Sequence, residues 1–183
     1  MHGIFTRWPV DRAGNWGGEL QIWEATTGKS GPRWNGHSGG INSVHFSPTC
    51  KWIASAGDDR LVNVWDAYSG TFISSLTGHS EMVDTALFSL DSSQLASVST
   101  DGSVRLWAMD SIGSEPLTHA SSSKVTSVAY SADGLHLFSG FLDGSVQQYE
   151  VVSDIQSLFP FGDRKLVYCI AYSPDGLRVA AAS

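Results

Sequence analysis

The chain has few cysteines, few basic residues and no long apolar run. Its 183 residues include two cysteines, Cys50 and Cys169, which are far apart in the sequence and lie in or beside apolar, strand-like segments. A small buried residue is the simpler interpretation of each, and nothing demands an oxidising compartment. No stretch approaches the roughly 18 consecutive apolar residues of a membrane helix, and the first ten residues hold no signal-peptide core. We therefore expect an intracellular protein, cytoplasmic or nuclear, with no membrane association.

Basic side chains are outnumbered by acidic ones. Eleven lysines and arginines against eighteen aspartates and glutamates give a formal charge of −7 at pH 7. A nucleic-acid binder needs a basic excess to neutralise phosphates, so we expect no direct nucleic-acid partner. The 42% hydrophobic content, with 11% aromatic residues, is instead typical of a globular protein with a packed core.

A repeat organises most of the chain. Gly36-His37 recurs as Gly78-His79, 42 residues later, and several other positions recur at the same interval. These series are Trp23, Trp65, Trp107 and Tyr149; Asp59, Asp101 and Asp143; Ser55, Ser97 and Ser139; and Phe46, Phe88, Tyr130 and Tyr172. Independent series that share one interval indicate one structural unit per interval.

Each unit reads as four short strands. Its apolar residues alternate with a period near two, and Asp-Gly or Ser-Gly turns separate the segments. In one unit the pattern predicts strands near Ile41–Phe46, Trp52–Ala56, Leu61–Trp65 and Thr71–Leu76. The loops between them have hairpin length, so the strands are expected to be antiparallel.

A unit of about 42 residues that runs from Gly36-His37 to Trp65-Asp66 resembles the tryptophan-aspartate (WD) repeat. The resemblance covers roughly residues 19–183. It implies an all-β fold, a β-propeller in which each unit supplies one four-stranded antiparallel blade that packs on its neighbours.

The resemblance also assigns a hydrogen-bonded tetrad to each blade, one made of His37, Ser55, Asp59 and Trp65 and the next of His79, Ser97, Asp101 and Trp107. The donors and acceptors of these side chains can form a closed chain of partners. The third blade retains only Ser139 and Asp143, with Tyr149 in the tryptophan position. The position 42 residues after His79 holds Ser121, and the nearest histidine, His119, is out of register. We therefore expect a looser blade there.

Serine, histidine and aspartate also make nucleophilic triads, but this set occurs twice at the same spacing, which favours architecture over catalysis. The six histidines show no metal-ligand spacing with cysteines or carboxylates. We therefore expect no enzyme activity, no metal and no cofactor.

The chain holds about 4.4 units of 42 residues, whereas family propellers commonly have seven blades, so a partial propeller is predicted. The expected order is a non-repeat segment (1–18), a half-blade (19–36), full blades (about 37–78, 79–120 and 121–162) and a truncated blade (163–183). Residues 1–18 could be a non-native start or an extension on the first blade. The two half-blades could also close a four-bladed ring, although we favour an open arc, whose edges invite self-association.

The expected function is a non-catalytic scaffold for other proteins, the usual role of the family it resembles; the alternative is the sensor region of a larger multidomain signalling protein. Partner contacts are expected on the rim where first strands begin and second strands end, at residues that break the repeat. These candidates are Asp58, Met82, Asp84, Thr100, Lys124, Thr126, Phe141, Leu142 and Tyr168.

Overall fold

The computed structural model describes residues 2–4, 17–151, 156–159, 166–173, 175 and 177–183. Within these residues all regular secondary structure is β-strand, which confirms the all-β prediction. The strands are β1 (His2–Ile4), β2 (Gly18–Glu24), β3 (Ser30–His37), β4 (Ile41–Phe46), β5 (Trp52–Gly57), β6 (Val62–Asp66), β7 (Phe72–Leu76), β8 (Val83–Phe88), β9 (Gln94–Ser99), β10 (Ser103–Ala108), β11 (Leu117–Ala120), β12 (Val125–Tyr130), β13 (His136–Phe141), β14 (Val146–Glu150), β15 (Gln156–Phe159), β16 (Cys169–Tyr172) and β17 (Val179–Ala182).

Three sheets have four antiparallel strands each, in the order of the sequence: β4–β7 (blade 1), β8–β11 (blade 2) and β12–β15 (blade 3). A three-stranded sheet, β1–β3, precedes them and a two-stranded sheet, β16–β17, follows. In blade 1 the strands lie within one residue of the predicted bounds, because its alternating pattern and its turns are both clear.

The turn between the second and third strands needs a left-handed residue after its aspartate. Gly102 and Gly144 occupy that position with φ of 82° and 84°, and Arg60 adopts φ 69° in blade 1. Only glycine takes this conformation without a steric cost, so the turn is most favourable in blades 2 and 3.

Adjacent sheets stack face to face with an apolar core at each junction. Between the N-terminal sheet and blade 1 the core contains Leu20, Ile22, Ile53 and Trp65. The junction of blades 1 and 2 includes Val64, Val83 and Trp107, that of blades 2 and 3 includes Val104, Phe141 and Tyr149, and that of blade 3 with β16–β17 includes Phe138 and Ile170. Blades 1 to 3 are thus covered on both sides, which explains why their second strands are buried almost without alternation.

The first residues add a strand beside the half-blade. In β1, Gly3 pairs with Trp23 and Ile4 with Ile22, so β1 occupies the place that a second strand takes in blades 1 to 3. For residues 1–18, expected to be either a non-native start or an extension on the first blade, the structure shows one contact with the repeats, the pairing of β1 with β2. Residues 5–16, with Trp8 and Trp16, lie outside the described part of the chain.

Both cysteines are exposed, and the prediction that they are buried is wrong. Cys50, with φ of 55°, lies in the tight turn between β4 and β5, outside the strands whose faces the neighbouring sheets cover. Cys169 lies on the face of β16 that points away from blade 3, because Ile170, its neighbour, faces the core. Apolar surroundings in the sequence did not reveal that no sheet among the described residues covers this face.

The two end sheets have open sides. Among the described residues no strand pairing joins β16–β17 to β1–β3, and β17 has β16 as its one paired neighbour. On the face of this sheet opposite blade 3, Cys169, Ala171, Ala180 and Ala182 are all exposed, and Leu177 beside it is 80% exposed.

We expect the 183-residue chain, expressed alone, to associate or to be poorly soluble. An unpaired strand edge with exposed apolar residues is a template for pairing with another chain. Size-exclusion chromatography with light scattering at several concentrations measures this, and a version extended to a closed ring is the control, expected to be monomeric and more stable. A stable monomer of the 183-residue chain at all concentrations would contradict the open arc and favour closure of β2–β3 onto β16–β17.

Candidate functional site

In blade 1 the structure brings the four predicted tetrad residues into one hydrogen-bonded chain. Trp65 Nε1 donates to Ser55 Oγ (2.9 Å), and Ser55 Oγ and His37 Nε2 are 2.8 Å apart. His37 Nδ1 lies 2.8 Å from Asp59 Oδ1. A carboxylate only accepts, so Nδ1 carries the proton and Nε2 accepts from the serine hydroxyl. This hydrogen-bonded chain runs from Trp65 in β6, through Ser55 in β5, to His37 at the end of β3. It ends on Asp59 in the turn between β5 and β6.

Blade 2 repeats this arrangement with one addition. Trp107 Nε1 donates to Ser97 Oγ (2.8 Å), which is 2.8 Å from His79 Nε2, and His79 Nδ1 lies 3.2 Å from Asp101 Oδ2. Ser103 Oγ donates to Asp101 Oδ1 (2.6 Å) and lies 3.0 Å from His79 Nδ1. Asp101 therefore holds two loops of the blade at once.

The two tetrad serines are placed for structure. Ser55 and Ser97 have no solvent exposure, and each hydroxyl is already engaged by a tryptophan donor and a histidine acceptor. A nucleophile must reach its substrate, and neither hydroxyl meets that requirement.

Blade 3 fills the same space differently. Tyr149, 1% exposed, donates its phenol proton to Gln147 Oε1 (2.6 Å), and burial raises its pKa to about 12, an effect that the nearby Ser139 hydroxyl partly offsets. The Asp143 carboxylate accepts from Ser145 N and Oγ (2.9 and 2.6 Å), both within its own turn. It therefore caps a turn, whereas Asp59 and Asp101 also reach a histidine.

His119 has a role that its sequence position did not indicate. It pairs with Val104 at the end of β11, as Leu76 pairs with Val62 and Trp34 with Leu20. The His119 and Tyr149 rings lie 4.3 Å apart, just as Trp34 packs on Trp65 at 5.6 Å. The outer strand of each sheet thus supplies a side chain against the next blade. The longer loop between β10 and β11 shifts this position, which hid the correspondence.

The last sheet lacks the serine altogether. Ala181 pairs with Ile170 as Ser55 pairs with Val44, so an alanine occupies the serine position. A count of 42 from Ser139 reaches Ala181, so the sequence carried this signal.

The predicted rim residues lie at the end of the sheets where first strands begin, called here the upper rim, but two of them do not offer a free surface. Phe141 is wrong as a rim residue: it is fully buried in the core between blades 2 and 3, because it ends a strand covered on both sides. The Thr126 hydroxyl lies within hydrogen-bond distance of Gly140 O (2.9 Å) and Val167 O (2.5 Å), and so links blade 3 to the last sheet.

The other rim residues form a partly polar surface. Asn42 Nδ2 donates to Asp58 Oδ1 (2.9 Å) and to Val83 O (3.1 Å), and Lys124 Nζ lies 3.9 Å from Asp84 Oδ2. These contacts bridge blade 1 to blade 2 and blade 2 to blade 3. Partial burial raises the pKa of Asp84, although the Lys124 charge opposes the rise. Backbone amides of Thr100 and Leu142 donate to Met82 O and Lys124 O, which holds the loops together.

Comparison with models of known protein families shows which family the chain belongs to. The sequence model of the family described as WD domain, G-beta repeat matches residues 28–66, 70–108 and 114–150, more than half of the chain. The chain belongs to the WD-repeat family. Each match joins the outer strand of one sheet to three strands of the next, and WD repeats are typically non-catalytic scaffolds for protein interaction. A search of curated protein sequences found no match.

The described residues contain no group of three or more histidine, cysteine, aspartate or glutamate side chains placed to hold a metal ion. Within the same residues no helix is long and apolar enough to cross a membrane.

We expect Asp59→Ala and Asp101→Ala each to lower the free energy of unfolding by about 1 to 3 kcal/mol, because each leaves buried donors unpaired. Asp143→Ala, the matched control in the exposed turn of blade 3, should cost about 0.5 kcal/mol or less. Urea melts of the three variants measure the order. A loss at Asp143 that equals or exceeds the other two would contradict this account of the tetrads.

The tetrad of blade 2 should also make stability depend on pH. Burial lowers the pKa of His79, although Asp101 opposes the shift. Because this folded-state pKa is below that of the unfolded chain, about 6.5, the unfolded state takes up the proton first. The stabilisation is complete above pH 6.5 and is lost as the pH falls towards the folded-state value. NMR titration of the His79 ring tests this, and a midpoint at or above 6.5 would contradict it.

Proposed function

We propose that the protein is a scaffold that binds another protein through the upper rim. The proposed contact surface consists of Asp58, Met82, Asp84, Thr100, Lys124, Leu142 and Tyr168. It extends across blades 1 to 3 to the start of the last sheet. The family supports the general role, since its repeats typically present surfaces to other proteins.

The single observation that carries the proposal is the exposure of two large apolar side chains beside the contacts that join neighbouring blades at the rim. Tyr168 is 62% exposed and Met82 is 40% exposed, although burial is the rule for apolar side chains of their size. Tyrosine and methionine are both enriched at protein interfaces. The bridging contacts of Asn42 and Lys124 keep this surface ordered before a partner arrives, which reduces the entropic cost of binding.

The charges of the rim also favour a protein over a nucleic acid. The proposed contact surface includes two aspartates, Asp58 and Asp84, and one lysine, Lys124, in a chain whose formal charge is −7. Phosphate groups would be repelled by such a surface.

The experiment is a comparative affinity purification from cells that express the protein, with a tagged full chain as bait and mass spectrometry as readout. The double variant Met82→Ser, Tyr168→Ser should lose specific partners by about tenfold or more, as expected for the loss of interface anchor residues. Tyr68→Ser is the matched control, because Tyr68 is 91% exposed in the loop after β6, at the opposite end of the sheets.

Partners retained equally by the double variant and by wild type would refute the rim as the binding surface. Loss of partners with Tyr68→Ser, but not with the double variant, would place binding at the other end of the sheets.

A further inference from the structure

A cavity of about 710 Å³ opens between blades 1 and 2 at the end of the sheets opposite the upper rim. The turns β4–β5 and β8–β9 and the loop after β10 form it. We call it the lower cavity, and its walls include Lys51, Trp52, Asp91, Gln94, Met109 and Asp110. Such a volume accommodates one long side chain together with the backbone that carries it.

The lower cavity is built from fixed groups. Ser92 Oγ accepts from Thr49 N (3.2 Å) and from Thr49 Oγ1 (3.1 Å), which ties the turns of the two blades together. The Trp52 ring stacks on Phe88 with 6.3 Å between ring centroids and 19° between ring planes. A site whose walls are already ordered loses little entropy when it binds.

Two carboxylates in the lower cavity are not neutralised. Asp91 accepts from Ser89 Oγ (2.6 Å), Ser93 N (3.0 Å) and Ser93 Oγ (2.8 Å), and these bonds lower its pKa, so it is ionised at neutral pH. Asp110 is exposed and accepts from Ser111 Oγ (3.0 Å). Within the described part of the chain, neither carboxylate makes an ion pair.

One more group in the lower cavity suits a cation. The Trp52 ring already attracts one cation, since Lys51 Nζ lies 4.5 Å from the ring centroid.

We propose that the lower cavity binds the guanidinium group of an arginine presented by a partner protein. A guanidinium has five N–H donors in one plane, so it can donate two parallel hydrogen bonds to a carboxylate while it stacks on the indole of Trp52. Lysine has a compact charge that cannot make this combination. Lys51 acts as an internal competitor for the ring. The two contact surfaces lie at opposite ends of the sheets, so this proposal stands or falls independently of the upper rim.

Fluorescence polarisation with labelled octapeptides tests the proposal at 0.15 M salt, on the 183-residue chain and in parallel on its closed-ring extension. The probes are a peptide of alternating glycine and arginine, its lysine counterpart and its glutamate counterpart. We expect binding in the order arginine, lysine, glutamate. Asp110→Asn should raise the Kd of the arginine peptide about three- to fivefold, as expected for one exposed ion pair.

Lys51→Met should lower that Kd by a similar factor, because it removes a like charge and a competitor. Glu81→Gln, an exposed glutamate in the loop before β8, is the matched control and should change the Kd less than about twofold, because distant charges are screened at this salt concentration. Circular dichroism of each variant checks that the fold is retained.

Three results would overturn the proposal: no binding of the arginine peptide, equal weakening by Glu81→Gln and Asp110→Asn, or weaker binding after Lys51→Met. Equal weakening would mean that the peptide responds to overall negative charge alone. Failure of the peptide assay would not change the expected result of the affinity purification with the upper-rim variants. Loss of partners in that purification would not change the expected peptide affinities.

Discussion

The structure depends on the burial of each sheet face against the next sheet. A four-stranded sheet of this size cannot hide its apolar residues alone, and here each junction contributes its own core, from Leu20 and Ile53 at one end to Phe138 and Ile170 at the other. Polar groups that enter these junctions must be paired. The tetrads meet that requirement in blades 1 and 2, where a tryptophan, a serine and a histidine share one chain of hydrogen bonds that ends on an aspartate.

Blade 3 shows which part of this arrangement can change. The tetrad histidine and tryptophan are absent, yet Tyr149 is as buried as the tryptophans it replaces, because His119 packs on its ring and Gln147 accepts its proton. The burial of an aromatic side chain at the junction is therefore maintained, while the identity of its polar partners varies. The expectation of a looser blade rests on the tetrad alone, and the preceding outer strand adds a contact, from His119, that the tetrad does not include.

The functional surfaces follow from the same stacking. Each sheet contributes loops at both ends, and adjacent sheets place those loops side by side, so contacts between blades decide what each end presents. At the upper rim, Asn42 and Lys124 bridge neighbouring blades and leave Met82 and Tyr168 exposed. At the other end, the bond between Thr49 and Ser92 closes the floor of a cavity with acidic walls.

The sequence by itself determined the repeat interval, the strands of blade 1 to within a residue and the antiparallel order, since these follow from local periodicity and short loops. The members of the tetrads in blades 1 and 2 followed from the resemblance to the WD repeat, which recurring polar residues carry. The tertiary structure alone decided that Phe141 is buried, that Cys50 and Cys169 are exposed, and that His119 packs on Tyr149. The burial of these residues depends on whether a neighbouring sheet covers the face on which they lie. The sequence pattern of one strand does not show where the neighbouring sheet packs.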